Sequence, residues 1–405
     1  MISQEIGFSN IWPSVFAEKV YTYQPSPIMR SILGKESENF NHEEKWSLLS
    51  GHIKKHGCEA LSYATLQHGM EYFVHELGYI AFITATHPVF ARKPKRIALT
   101  DPVCAPEDLQ PLIAAFLKEF PAAVFGVVSE RCATVLRQMG FKVNCVGYEP
   151  ELPVQTYNTQ GNWKELDMIK RARNEAKREG IRIEEVDIAK VPLEQLNALS
   201  SKWLQGKKVN DREIWIYARR PVYQQEHDVR KFVAYDKEGI AIGYVFYDPM
   251  YRDGKVFGYS ANTVRCDEAR YGRLATAVHM VAMETFKTEG VEVLNLLLCP
   301  FTNLERGIYS DDLMTRWFFQ VSQRFGGEIY NFKGLAFHKS KYRGFEKPVY
   351  YASNSTLPSN DVYLAFLTAD IARSYFDTMK LLGIGIVKEL FKGTPKKAAP
   401  VEKSA

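Results

Sequence analysis

The sequence has little cysteine and none of the short signatures that most directly name a chemistry. Six cysteines are spread over 405 residues without a Cys-x-x-Cys pair, which excludes a zinc ribbon, a thioredoxin-type redox motif and a disulfide-framed miniature fold. Reduced, mostly buried thiols are expected instead. There is no G-x-x-x-x-G-K-[ST], H-E-x-x-H, G-x-S-x-G or G-x-G-x-x-G, so phosphate-loop, zinc-protease, hydrolase-elbow and dinucleotide-fold readings lose their main support. No apolar run reaches the roughly 18 residues that span a bilayer. The opening Met1-Ile2-Ser3-Gln4-Glu5 has neither a basic n-region nor an apolar h-region, and a cytoplasmic chain is expected. A net charge of +5 is too small for a dedicated nucleic-acid binder, but it permits local basic patches for anionic partners.

What is present is the composition of a folded protein: 46% hydrophobic and 24% charged residues over a length that suits about two domains. Strand patterns appear at Tyr72–Val74, Gly78–Thr84 and Arg96–Thr100. A helix from Pro106 to Phe120, a buried strand Ala123–Val128 and a short helix Ala133–Met139 stopped by Gly140 follow. Phe141–Val143 leads to a turn at Gly147-Tyr148-Glu149-Pro150. The polar, proline-bearing stretch after Pro150 places a domain boundary near Glu151.

The second half reads as a basic helix Trp163–Gly180, a strand Ile181–Val186 and a helix Leu193–Leu204. A three-strand meander (Arg230–Tyr235, Ile240–Tyr247, Lys255–Val264), a helix Leu274–Thr288 and a buried strand Val291–Leu298 come next. Its order of strand pair, breaker, helix and apolar strand repeats that of the first half, as in a diverged structural duplication. A helix Leu313–Phe325, further strands through Tyr351 and a helix from Asn360 toward Phe391, with Gly383 or Gly385 as a break point, complete the folded part. The assignment is therefore 1–150 and 151–358 as two domains, 359–391 as a terminal helix, and 392–405 as a disordered basic tail.

Several residues could carry chemistry. The junction from Thr263-Val264-Arg265 to Tyr271-Gly272-Arg273 joins a strand to a helix N-terminus, whose free N–H groups suit an anionic group. Arg265 is either a surface ion-pair residue or a bidentate ligand for a phosphate or carbonyl oxygen. Lys339 and Lys341, two apart, are placed on one face of a strand, as solvated residues or as groups that hold a phosphate or an oxyanion. Glu213 is the acid to pair with an α-amino group, or a partner of Arg212. Asn295 interrupts an apolar strand and reads as a buried, bonded polar group or a substrate contact. Lys170, Arg171, Arg173 and Arg178 on the basic helix form either a solvated face or a contact for tRNA or lipid phosphate. His52 and His56 share a helical face near Cys58, His68 and His75, but no second close pair completes a metal site. His338 is taken as structural. The last helix, with Phe376, Leu381, Ile384 and Ile386 ahead of Lys388, Lys392, Lys396 and Lys397, packs on the core or lies on an anionic bilayer.

The runs Ser260-Ala261-Asn262-Thr263-Val264-Arg265, Tyr271-Gly272 and Gly290–Leu296, with Phe337-His338-Lys339-Ser340-Lys341-Tyr342 downstream, resemble the soluble catalytic domain of bacterial phosphatidylglycerol lysyltransferases and their relatives. Leu99–Pro102, Gly147–Glu149, Trp203-Leu204 and Arg212-Glu213 fall in the same order, so that the resemblance covers about residues 45–355. It implies an α/β fold of two tandem GNAT-like acyltransferase domains with mixed sheets and a site in the second. It also implies transfer of an aminoacyl group from aminoacyl-tRNA, the donor, to an anionic membrane lipid, the acceptor, without metal or redox cofactor. Arg265, Lys339 and Lys341 are then the catalytic candidates, and Glu213, Asn262, Tyr271, Gly272, Asn295 and Tyr342 the substrate contacts. The family pattern has an acid where Asn262 stands, and the membrane flippase half of the full-length synthases has no counterpart in this sequence. Two readings stay beside this one. A GNAT enzyme using acyl-CoA or acyl carrier protein would show a Q/R-x-x-G-x-G/A loop, which Arg270-Tyr271-Gly272-Arg273-Leu274-Ala275 meets with its glycine one place early. A non-catalytic module could bind tRNA or lipid.

Overall fold

The computed structural model describes residues 31–32, 41–89, 91–161, 164–206, 213–372 and 374–391. Its strands are β1 (Ser31–Ile32), β2 (Glu71–His75), β3 (Gly78–His87), β4 (Ala91–Leu99), β5 (Val103–Cys104), β6 (Ala123–Val128) and β7 (Lys142–Pro153), then β8 (Arg182–Glu185), β9 (Arg230–Tyr235), β10 (Ala241–Arg252), β11 (Lys255–Cys266), β12 (Val293–Asn295), β13 (Cys299–Pro300) and β14 (Phe345–Ser353). The helices are α1 (His42–His56), α2 (Leu109–Glu119), α3 (Glu130–Gln138), α4 (Asp167–Arg178) and α5 (Leu193–Gln205), followed by α6 (Leu274–Thr288), α7 (Leu313–Phe325), α8 (Phe332–Ser340), α9 (Pro358–Thr368) and α10 (Tyr375–Phe391). Trp163, Arg212 and the tail from Lys392 lie outside the described residues.

All fourteen strands belong to one mixed sheet with the path β1-β2-β3-β4-β6-β14-β7-β12-β11-β10-β9-β8, while β5 pairs with β3 and β13 with β7. The repeat seen in the sequence is visible in this order. The hairpin β3–β4 is followed by α2 and a strand, β6, parallel to β4, and the hairpin β10–β11 is followed by α6 and a strand, β12, parallel to β11. The centre of the sheet interleaves the halves: β14, from the end of the chain, lies between β6 and β7, and β7 continues onto β12. The boundary residue Glu151 therefore sits inside β7, paired with Asn295 and Phe345. The chain turns only beyond Pro153, since Pro150 is accommodated within the strand, paired in register with Glu346.

Side-chain alternation builds two faces from this sheet. Along β3, Tyr79, Ala81 and Ile83 enter one core and Ile80 and Phe82 another; along β10, Tyr244 and Phe246 part from Val245 and Tyr247 in the same way. The face carrying Tyr79 and Tyr244 holds one core common to both halves, whereas the opposite face has a separate core under α2 and α3 and another under α4 and α6. Turn chemistry follows the residues: Asp253 (φ 49) and Gly254 (φ 81) close the hairpin β10–β11, and Gly180 (φ 66) and Gly290 (φ 79) lie two residues past α4 and α6.

Three sequence expectations change. The Gly147-Tyr148-Glu149-Pro150 turn is instead part of β7, because Gly147 (φ 150) lets β13 approach closely; a Cβ there would stand 2.2 Å from the Cys299 carbonyl oxygen. Lys339 and Lys341 are on no strand. Asn331 accepts from the Gly334 N–H at 3.0 Å and starts α8, and Phe332, Leu335 and Ala336 supply the i, i+3, i+4 spacing that the short period concealed. The terminal helix breaks between Thr368 and Tyr375 and runs through both glycines; Gly385 packs against the Phe325 backbone, where a Cβ would lie 2.0 Å from the carbonyl oxygen.

Gly147→Ala should thus lower stability by about 1–3 kcal/mol, through positive-φ strain and the collision with β13. A urea midpoint unchanged from the parent chain would show that β13 is not held this way.

Candidate active site

β11 and β12 run side by side for only three residue pairs, ending at Ser260 and Asn295. Beyond them β11 continues to Cys266, while the segment after β12 parts from β11 through Leu297, which has φ 62, and stays on β7 through β13. Asn295 fixes that departure. Its Oδ1 accepts from the Leu297 N–H at 2.7 Å, and its Nδ2 donates to Glu149 at 2.9 Å and Glu151 at 3.3 Å. Asn295 is completely buried and lies behind the cavity wall, not in it.

The wedge left by the parting strands is a cavity of about 600 Å³. One wall is Ala261, Asn262, Val264 and Arg265 of β11; another is Leu296–Leu298; α8 closes it with Leu335, His338 and Lys339. Gly126 and Val127 of β6 bring the first half into the same wall, and the Tyr217 hydroxyl reaches it because a Cβ on Gly126 would lie 2.7 Å away.

Arg265 is 6% exposed, donates from Nη2 to Glu213 Oε2 at 2.7 Å and stacks over the Trp203 ring at 3.6 Å. Its Nε is buried with no hydrogen-bond partner among the described residues, a donor that a bound carbonyl or phosphate oxygen would satisfy. Lys339 donates from Nζ to the Leu297 and Leu298 carbonyls at 3.0 and 3.1 Å; an ammonium has three donors, so one remains for the cavity. Burial holds its pKa below the ordinary lysine value. The chain of contacts from Asn295 to Leu297 to Lys339 couples the strand departure to the position of this cation.

Tyr342 lines the cavity and bonds the Thr276 hydroxyl at 2.8 Å, and its carbonyl accepts from Tyr157 at 2.7 Å. Asn262 also lines it, with both ends of its amide engaged: Oδ1 accepts from the Arg219 N–H at 2.9 Å and Nδ2 donates to Asp248 at 2.8 Å. Behind it, Arg219, Asp248, Glu226 and Lys231 form a buried ion network with the two signs balanced.

The other named candidates lie elsewhere. Lys341 follows α8, stacked 4.1 Å over the exposed Phe337 ring, and is not in the cavity wall. Tyr271 and Gly272 precede α6 without reaching the cavity, although Glu268 and Ala275 beside them do. On α4, Arg171 pairs with Asp167 at 2.6 Å, Arg173 with Glu284 at 2.6 Å and Arg178 with Glu179 at 2.9 Å, and Lys170 is exposed. His52 packs edge-on to Tyr79, and no group of three or more His, Cys, Asp or Glu among the described residues could hold a metal ion.

Two wall residues escaped the sequence reading as functional groups. His338 and His279 both face the cavity, and burial pushes their pKa values down to about 4 and about 3. His279 sits mid-helix in an apolar stripe, where only its partner, the Tyr247 hydroxyl at 2.9 Å, marks it as placed.

Glu149 gives this region a pH signature. Burial pushes its carboxyl up to about 7, so the folded chain holds a proton that the unfolded chain releases above about 4.5, and stability is lost as pH rises through that interval. The Glu149→Gln variant lacks this loss. Its stability relative to the parent should rise between about pH 5 and about pH 8 in urea unfolding; a pH-independent difference would show that Glu149 titrates normally.

Residues 51–353 match the family model described as phosphatidylglycerol lysyltransferase, C-terminal. No curated protein matches the chain in sequence. Among solved structures, L-PGS from Bacillus licheniformis superposes with TM-score 0.63 at 19% identity, covering 81% of this chain and 96% of its own. The C-terminal domain of a protein from Agrobacterium fabrum described as a lysylphosphatidylglycerol synthetase gives TM-score 0.62 at 19% identity, covering 82% and 100%. A Bacteroides thetaiotaomicron protein of unknown function gives 0.50 at 11% identity, covering 78% and 97%. The chain belongs to the phosphatidylglycerol lysyltransferase C-terminal family, and it is an acyltransferase with a mixed α/β fold.

Proposed function

We propose that the chain moves an aminoacyl group from aminoacyl-tRNA to a hydroxyl of an anionic membrane lipid, with the cavity between β11 and β12 as its site. The supporting observation is that two cations line that wedge, buried Arg265 on one wall and half-buried Lys339 on the other, each with a donor to spare. Acyl transfer from an ester concentrates negative charge on the carbonyl oxygen as the nucleophile adds, and preorganised donors in a site shielded from water stabilise that charge most effectively. Here the donors are fixed before substrate arrives: Arg265 by Glu213 and Trp203, Lys339 by two carbonyls.

In the reaction, the bond from the aminoacyl carbonyl carbon to the ribose oxygen breaks and a bond from that carbon to the lipid oxygen forms. The lipid hydroxyl proton ends on the ribose oxygen, and nothing is oxidised or reduced. The neutral imidazoles of His279 and His338 add no charge to the wall, where Arg265 is paired with Glu213 and Lys339 is held by carbonyls alone.

Purified full chain supplied with aminoacyl-tRNA and phosphatidylglycerol vesicles should form a lipid heavier by one aminoacyl group, read by mass spectrometry. Arg265→Ala and Lys339→Met should each lower kcat/KM by about 10²–10³-fold while the cooperative unfolding transition is retained, whereas Lys341→Ala, outside the wall, should change it by less than about twofold. Equal losses at Lys339 and Lys341 would overturn this placement of the site. A lipid mass shift of one fatty acyl group would replace the aminoacyl donor with an acyl thioester.

A further inference from the structure

α7 packs against both α8 and α10. It turns Thr315, Phe319 and Ser322 inward, and its outer face carries Leu313, Met314 and Trp317, which are 76%, 57% and 63% exposed. α10 repeats the arrangement. Thr378 and Leu382 are buried, while Phe376, Met379, Ile386 and Val387 recur on the outer face at the helical period. Phe337 of α8 is exposed as well, although its neighbours Leu335, His338 and Lys339 line the cavity. Large apolar side chains gathered at a surface in this way mark a contact. The charge among them is mostly of one sign: α7 and α8 hold Arg316, Arg324, Lys333 and Lys339 and no acid. α10 adds Lys380 and Lys388 against Asp377 and Glu389, and Glu389 is turned to Lys333 at 3.8 Å.

We infer that the outer face of α7, α8 and α10 is where the protein rests on an anionic bilayer, with Leu313, Met314 and Trp317 at the interface and Arg324 and Lys380 against lipid headgroups. For its purpose the inference rests on the lipid-acceptor reading above. No helix among the described residues is long and apolar enough to cross a membrane. The exposed apolar side chains form a stripe on one side of each helix, which is the geometry of a helix lying along the headgroup region. Tryptophan suits that depth, because its ring is apolar and its N–H polar. A protein partner would leave cations at the rim of an apolar centre. Lys380 instead stands within the stripe of α10, between Phe376 and Ile386, as suits a surface of acidic headgroups. The face is also continuous with the site, since α8 presents Phe337 outward and Lys339 to the cavity. A bilayer held there brings the acceptor lipid to the wall that bears Lys339.

Sedimentation of the full chain with lipid vesicles tests this apart from catalysis. The parent chain is expected to bind phosphatidylglycerol vesicles about tenfold or more tightly than phosphatidylcholine vesicles. A variant combining Leu313→Ser, Met314→Ser and Trp317→Ser, with its cooperative unfolding retained, should bind phosphatidylglycerol vesicles about tenfold or more weakly than the parent. Its aminoacyl transfer to dispersed, short-chain phosphatidylglycerol should stay within about twofold of the parent, because these side chains lie outside the cavity wall. Vesicle binding undiminished in the variant, or equally strong to phosphatidylcholine, overturns the inference and leaves the transfer reading standing. Transfer to dispersed lipid that falls as far as transfer to vesicles also overturns it, since the three residues would then act on the site and not on docking. A lipid-free dimer that the substitutions disperse assigns the face to a second copy of the chain and overturns it too. No aminoacyl-lipid from the parent with either acceptor, while vesicle binding follows the expected pattern, overturns the transfer reading alone.

Discussion

The parting of β11 from β12 is the constraint on which the site depends. Parallel strands hold together by an even ladder of backbone hydrogen bonds, and ending that ladder inside a protein leaves donors and acceptors that need other partners. Asn295 supplies them. One side chain takes the Leu297 N–H and, from its other end, anchors to Glu149 and Glu151 on the neighbouring β7. The freed Leu297 and Leu298 carbonyls then hold Lys339. A polar residue in an apolar strand is thus the device that opens the cavity and sets one of its cations.

The interleaved sheet gives that device its support. Because β14 lies between β6 and β7, and β7 lies against β12, the acids that anchor Asn295 come from the first half of the sequence and the site from the second. Lys347 of β14 joins the same group by bonding Glu59 at 2.7 Å. The first half also contributes Gly126, Val127 and Val146 to the cavity wall. It is part of the site, in both packing and electrostatics, although the reacting groups proposed above stand on the second half.

Buried charge in this protein is handled by pairing and by neutralisation in adjacent places. Arg219, Asp248, Glu226 and Lys231 keep two charges of each sign in mutual contact, which is how buried ions are tolerated. His279, His338 and Glu149 are instead shifted toward their neutral forms by burial. The cavity inherits its character from that division, since the acids nearest to it are spent on internal partners before a ligand arrives.

Local patterns in the sequence determined most of the elements. Strand Ala123–Val128 and helices Leu274–Thr288 and Leu313–Phe325 fall where periodicity, glycine stops and turn residues place them, because those signals act over a few residues. The order of motifs also carried the family, and it singled out Arg265, Glu213, Asn262, Lys339 and Tyr342, all in or on the cavity wall. Tertiary structure decided the rest. Whether Lys339 stands on a strand or a helix depended on the Asn331 cap and on packing of Phe332 and Ala336, and the difference puts Lys339 inside the cavity and Lys341 outside it. The exchange of β7 and β14 between halves, the engagement of Asn262 by Arg219 and Asp248, and the neutral state of His279 all rest on residues tens to hundreds of positions apart in the chain. No local pattern encodes such contacts, since hydrogen bonding and desolvation act on neighbours in space.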